Sequence, residues 1–238
     1  MMRISDFRSK KGVTLTELSI SIFIITMLIA GSFGGVAMLK AAKIRKSVNE
    51  LTTYMGAINQ FQTQYDYLPG DLPNASSYWT TNPATGATTH NGNGDGIVAR
   101  NNTAYGAGSG NNEYLYAWEH LADAKLIPGT FDGTSTQPNS EPFPNAYFWF
   151  FTTGQSTYNT RGNAITTQTS SSSGYLLAKD AYTIDVKIDD GIAASGILYA
   201  MTPTSGCVNA VSTASSASYL LSDSTNATCG LMYWQKKF

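Results

Sequence analysis

Three hydropathy patterns follow one another along the chain. From Val13 to Leu39 nearly every residue is apolar, and the only acid in the run is Glu17. Such a run is long enough to cross a bilayer as a helix. It also outlasts the apolar core of a signal peptide, with Arg3, Arg8, Lys10 and Lys11 before it and Lys40, Lys43, Arg45 and Lys46 after it. The pattern then becomes periodic: Ile44, Val48, Leu51, Met55, Ile58, Phe61 and Tyr65 recur at three- and four-residue steps among Lys, Asn and Gln, which is the stripe of an amphipathic helix. Pro69 and Gly70, in Tyr67-Leu68-Pro69-Gly70, close it. One helix is therefore predicted from Val13 to about Tyr67, apolar all round over 13–39 and on one face over 40–67.

The third pattern is irregular. Residues 70–146 are rich in Gly, Asn, Thr and Pro, and read as a long connection holding one short helix at Tyr114–Ala122 that ends near Ile127-Pro128-Gly129. Strand signals then cluster at Tyr147–Thr152, Tyr175–Ala178, Tyr182–Ile188, Gly196–Met201, Tyr219–Leu221 and Leu231–Trp234, with Asp189-Asp190-Gly191 as a turn between two of them. The Ser/Thr-rich stretch Thr166–Ser173 reads as a flexible loop or edge. The expected fold class is α+β: a long N-terminal helix, half transmembrane and half amphipathic, packed on an antiparallel sheet in a C-terminal head over 68–238.

Charge sharpens this division. The 238 residues carry 15 Lys and Arg against 16 Asp and Glu, a low charge density that suits a secreted, loop-rich protein. Residues 1–46 hold eight of the basic residues with only Asp6 and Glu17 opposing them, so the rest of the chain is acidic. An acidic head is a poor partner for nucleic acid, whose backbone is bound by clustered Lys and Arg. Basic residues on both flanks of the apolar run leave its orientation open. Only Cys207 and Cys229 are present, without the spacing or histidines of a zinc site. They read either as two buried thiols or, in an oxidising compartment, as a disulfide that stabilises the fold by about 3 kcal/mol. The disulfide reading places the head outside the cytoplasm.

Glu17 is the anomaly in the apolar run. A carboxylate within lipid is costly unless partnered and marks function by default. Lying close to the basic flank, it reads equally as a side chain reaching back to the headgroups.

The segment Lys10-Lys11-Gly12-Val13-Thr14-Leu15-Thr16-Glu17-Leu18 resembles the processing site of type IV pilins and of the related pseudopilins of type II secretion. Tyr67-Leu68-Pro69-Gly70-Asp71, Ile184-Asp185-Val186-Lys187-Ile188-Asp189-Asp190-Gly191 and the C-terminal cysteine pair resemble later landmarks of the same family. The resemblance implies a leader over 1–12, cleavage between Gly12 and Val13 by a prepilin peptidase that also methylates the new amino terminus, and Glu17 as the assembly carboxylate. Glu17 would then pair with the terminal amine of a neighbouring subunit, so that two charges neutralise each other only in register. Most relatives begin the mature chain with Phe, where this chain has Val13. The partners implied are the peptidase and methyltransferase, other pilin or pseudopilin subunits and the inner-membrane assembly platform. The place implied is the bacterial inner membrane, crossed once with the head outside, and then a pilus or pseudopilus. The alternative is a minor pilin whose head is a binding module for adhesion or DNA uptake. Gly31, Gly34 and Gly35 read either as close helix packing or, by the same resemblance, as a place near Ala30–Gly35 where the helix melts in the filament.

Other constellations are weaker. His90 and His120 are the only histidines, and no G-x-S-x-G, Walker loop or H-E-x-x-H accompanies them, so no catalytic residues and no enzymatic activity are expected. Asn91, Asn93 and Asp95 alternate before Gly96 as in a calcium loop, but Asn102 stands where a bidentate Glu would close it; a solvated turn reads better there, and no other cofactor is suggested. Tyr147-Phe148-Trp149-Phe150-Phe151 reads as a central strand buried on both faces in preference to an adhesive patch.

Overall fold

The computed structural model describes residues 12–98, 112–135, 137–143, 146–153, 162–169, 174–201, 206–209, 217–222 and 229–234, with backbone alone at 31–34, 149, 151–153, 162, 201 and 234. Residues 1–11, which hold most of the expected leader, Asn102 and residues 170–173 lie outside them. Contacts divide the chain into two compact units, Met1–Ala42 and Lys43–Phe238.

Helix α1 runs from Leu15 to Tyr65, without interruption at Ala30–Gly35. It is long and apolar enough near its start to cross a membrane. In the first unit its described large side chains are bare: Leu15 is 83% exposed and Met38 77%. In the second unit the stripe read from the sequence is buried, with Leu51 and Ile58 at 2% and Phe61 at 0%. Asp66 ends the helix in the left-handed region (φ 60°), a conformation usual just past a helix C-terminus.

The head is built on that buried stripe. Short α2 (Ala75–Tyr78) and then α3 (Glu113–Asp123) follow the Pro-Gly turn. The Tyr54 ring packs edge-on against both Trp118 of α3 and Phe148, and Phe61 stacks on His120. Helix α3 closes in a Schellman turn, in which Leu126 N–H bonds the Leu121 carbonyl and Lys125 N–H the Ala122 carbonyl. The sheet comprises β1 (Ala146–Thr153), β2 (Gly162–Thr169), β3 (Leu198–Met201) and β4 (Gly230–Trp234), antiparallel throughout in the order β1-β2-β4-β3. An α+β architecture, a long helix with an antiparallel sheet, is thus observed. Ile58, Phe148, Phe150, Ile165, Leu198 and Leu231 belong to one core.

Several sequence expectations are corrected. Tyr182–Ile188 is no strand but part of α4 (Ala178–Ile188): Ala178, Ala181, Ile184 and Asp185 are its buried residues, a helical spacing that β-branched Thr183, Ile184, Val186 and Ile188 masked. Asp189-Asp190-Gly191 therefore follows a helix. Tyr175–Ala178 and Tyr219–Leu221 contribute only isolated bridges, Leu176 to Cys229 and Tyr219 to Val208. The first half of Thr166–Ser173 is not a loop: Thr166–Thr169 lies in β2, between two strands. Thr167 is buried because its hydroxyl serves the ladder, accepting from Leu231 N–H at 3.0 Å and donating to the Leu231 carbonyl at 3.3 Å. Conversely, Tyr147–Phe151 is not central. Strand β1 is an edge, with Phe148 and Phe150 buried and Tyr147 half-buried; the segment before it shields the edge, Phe148 N–H bonding the Pro138 carbonyl and Ser140 N–H the Ala146 carbonyl.

Candidate functional site

Two places in the chain hold polar groups where burial or apolar neighbours make them conspicuous. The first is the start of α1. Thr14 precedes the helix, and its carbonyl accepts the Leu18 N–H at 3.1 Å. Glu17 N–H donates to the Thr14 hydroxyl oxygen at 3.3 Å, while Thr14 N–H and the Thr14 hydroxyl donate to Glu17 Oε2 at 2.9 and 2.8 Å. This is a capping box, in which a Thr and the Glu three residues on satisfy each other's helix-end donors. Both bonds fall on Oε2, and Oε1 has none among the described residues. Gly12 and Val13 stand exposed just before the cap, and a Cβ placed on Gly12 would touch nothing. The fold of the chain itself does not require glycine at that position.

The second place lies in the head, around the Tyr67-Leu68-Pro69-Gly70-Asp71 turn. Gly70 has φ +91°, and a Cβ there would overlap the Glu113 carbonyl; a Cβ on Gly92 would overlap the backbone of Gly70 and Asp71. The turn, loop 91–98 and the start of α3 therefore touch through backbone. Beside them a polar network threads the core. His120, fully buried, accepts Gly70 N–H at Nδ1 (3.0 Å) and donates from Nε2 to the His90 carbonyl (2.7 Å). Burial holds its pKa down to about 4, so it is a neutral, fully committed imidazole. Buried Glu119 accepts from Asn82 Nδ2 at 2.6 Å and lies 2.9 Å from His90 Nδ1; burial pushes its carboxyl upward. Both of these histidines are occupied in holding segments together.

The calcium-loop residues are arranged differently from a simple loop. Asn91 turns to Ser76, accepting its N–H at 2.8 Å and donating to its hydroxyl at 3.0 Å. Asn93 bonds Asp95 through both ends of its amide. Asp95 instead approaches Asp71 and Glu113, one oxygen from each lying within 4.8 Å of the others. Asp71 is 2% exposed, and burial, with the nearby Asp95 charge adding to it, raises its carboxyl to about 6. Neither Asp71 nor Glu113 stood out in the sequence as a candidate ligand. Asp71 closes the Pro-Gly turn and Glu113 opens a helix, both ordinary places for acids.

Cys207 and Cys229 are joined in a disulfide, both buried. The bond ties the segment carrying Val208 to the start of β4, beside the Leu176 to Cys229 bridge.

Compared with known proteins, the chain matches no family model, no curated protein and no solved structure.

Proposed function

We propose that this chain is a non-enzymatic filament subunit that is anchored by α1 and polymerises through it. More specifically, it is a precursor of the type IV pilin and type II secretion pseudopilin kind, cut between Gly12 and Val13. The observation that carries the reading is Glu17: the one acid in the apolar first part of α1, where the described large side chains are exposed, set five residues after a glycine that follows two lysines. Exposed apolar surface on this scale needs lipid or other helices to cover it. Identical helices leaving lipid for a bundle would bury it without loss of cohesion.

The capping box supports a specific division of labour at Glu17. Oε2 secures the helix start of its own chain, while Oε1 is left for a donor from outside. Cleavage would create a terminal amine at Val13, one residue from the cap, and a neighbour's amine of that kind is a fitting partner. Disulfide formation supports a head in an oxidising compartment.

The test separates the cap from the charge. Glu17→Gln keeps a capping side chain but has no charge to pair. Mass spectrometry of chain extracted from membranes of cells that contain the peptidase is expected to find Val13 at the amino terminus, in the wild type and in this variant. Filaments sheared from the surface are expected to contain the wild type and to lack the variant. An intact leader in the wild type, or normal assembly of Glu17→Gln, would refute the reading.

A further inference from the structure

Two trios of carboxylates lie in the head, and their hydrogen bonding sets them apart. Around Asp185, Asp189 and Asp190 each acid is supplied with protein donors. Asp185 accepts from the Tyr219 hydroxyl at 2.8 Å and Gly191 N–H at 3.2 Å. Asp189 accepts from Leu198 N–H at 3.0 Å and also from Ile197 N–H, and Asp190 from Ile192 N–H at 2.8 Å and the Ser195 hydroxyl at 2.5 Å. This trio closes the chain reversal between α4 and β3, and its geometry calls for no further ligand.

Asp71, Asp95 and Glu113 differ. They come from three segments: the turn after α1, loop 91–98 and the first residue of α3. Gly96 N–H reaches Asp71 Oδ2 at 2.9 Å, Asn93 N–H reaches Glu113 Oε1 at 2.9 Å, and Ile97 N–H reaches Asp95 Oδ1 at 2.8 Å. Asp71 Oδ1, though sealed from solvent, has no hydrogen-bond partner among the described residues. Neither Asp71 nor Asp95 pairs with a Lys or Arg among the described residues. Buried acceptors are nearly always matched, and a carboxylate beside two others is the acceptor least suited to be left alone.

We propose that Asp71, Asp95 and Glu113 bind one hard divalent cation, calcium by their donor set, which supplies the missing partner of Asp71 Oδ1. Donors that are all oxygen exclude a preference for zinc or copper, which favour nitrogen and sulfur. Three protein carboxylates gathered at one point suit calcium, which accepts six to eight oxygens in flexible geometry, better than magnesium, which keeps several of its waters and takes one or two carboxylates. The ligands are not the alternating residues of a loop motif, because the amides of Asn91 and Asn93 are already engaged. The cation joins three separate segments, and its effect is to pin loop 91–98 and α3 to the end of the α1 turn.

The experiment uses the full chain in detergent, freed of metal by a chelator and titrated with calcium chloride. Calorimetry is expected to show one calcium bound per chain, with Tm rising by several degrees at millimolar calcium. Asp95→Asn, at an exposed side chain that the fold does not bury, is expected to weaken binding at least tenfold. Glu113→Gln and Asp71→Asn are expected to do the same, and Asp190→Asn in the other trio to change nothing. Should Asp71→Asn not fold, Asp95→Asn and Glu113→Gln decide the matter. Absence of both heat and Tm shift at millimolar calcium overturns the proposal, as does binding that is unchanged in Asp95→Asn and Glu113→Gln or lost in Asp190→Asn. Tighter binding of magnesium chloride than of calcium chloride overturns the choice of ion.

Discussion

The two parts of α1 form one kind of backbone and live by different rules. Over 15–42 the helix is apolar on every side, and nothing among the described residues of its own unit covers it. Over 43–65 it is apolar on one stripe, and that stripe is the floor of the head core, where Phe61 stacks on His120 and Tyr54 meets Trp118 and Phe148. Hydrogen bonds between residues four apart make both parts helical. What separates them is whether the partner surface is encoded in the same chain. The second part finds its partners by folding, whereas the first must find lipid or other helices.

The strongest way to break this contrast is to delete equivalent apolar groups on the two sides. Phe61→Ala is expected to lower head stability by about 3–5 kcal/mol, the usual loss for a buried aromatic. Leu28→Ala, in the exposed part, is expected to leave denaturant unfolding of the head unchanged. Circular dichroism and near-ultraviolet fluorescence of the chain in detergent would follow both. A Leu28→Ala loss as large as that of Phe61→Ala would mean the two parts share one core.

Next in size is the disulfide. Replacing Cys207 and Cys229 by Ser removes a constraint on the unfolded head worth about 3 kcal/mol. The helical signal of 15–42 should survive at temperatures where the head has melted. Simultaneous loss of both signals would contradict the separation.

The smallest effect is a pH dependence that only the buried side can have. Folded His120 is held at about 4 against about 6.5 in an unfolded chain, so its contribution is full above pH 6.5 and is lost as pH falls towards 4. Asp185 runs the other way. Burial raises it to about 6 from about 3.9 unfolded, so the folded head takes up its proton first, and acidification over the same window favours folding. The two slopes partly cancel. Asp185→Asn should therefore make the fall in Tm between pH 6.5 and 4 steeper than in the wild type. An unchanged slope would show that Asp185 does not titrate in that window.

Legibility in the sequence tracked how local the cause was. The helix, its stripe and its stop at Pro69-Gly70 follow from spacing alone, as does α3, whose aromatic and Ala positions repeat at helical steps. Helix α4 is hidden because Tyr182–Ile188 carries strand-favouring side chains, and only its packing through Ala178, Ala181 and Ile184 selects the helix. Strand β2 is hidden for the opposite reason. Its Thr and Gln look like loop residues until Leu231 is set beside Thr167 to bond its hydroxyl. Among the site residues, Glu17 stood out because its neighbours in the chain are apolar. Asp71 and Glu113 did not, since their unusual surroundings come from segments distant in sequence.

The sequence by itself determined that this protein has one long helix in two regimes, an acid in the apolar one and an acidic head beyond it, because hydropathy and charge act along the chain. Only the tertiary structure decided which strand sits inside the sheet, that His120 is a neutral strut, and that three carboxylates share one small space. Those outcomes depend on contacts between residues tens of positions apart, which fix burial and hydrogen-bond partners, and burial decides what a polar side chain can do.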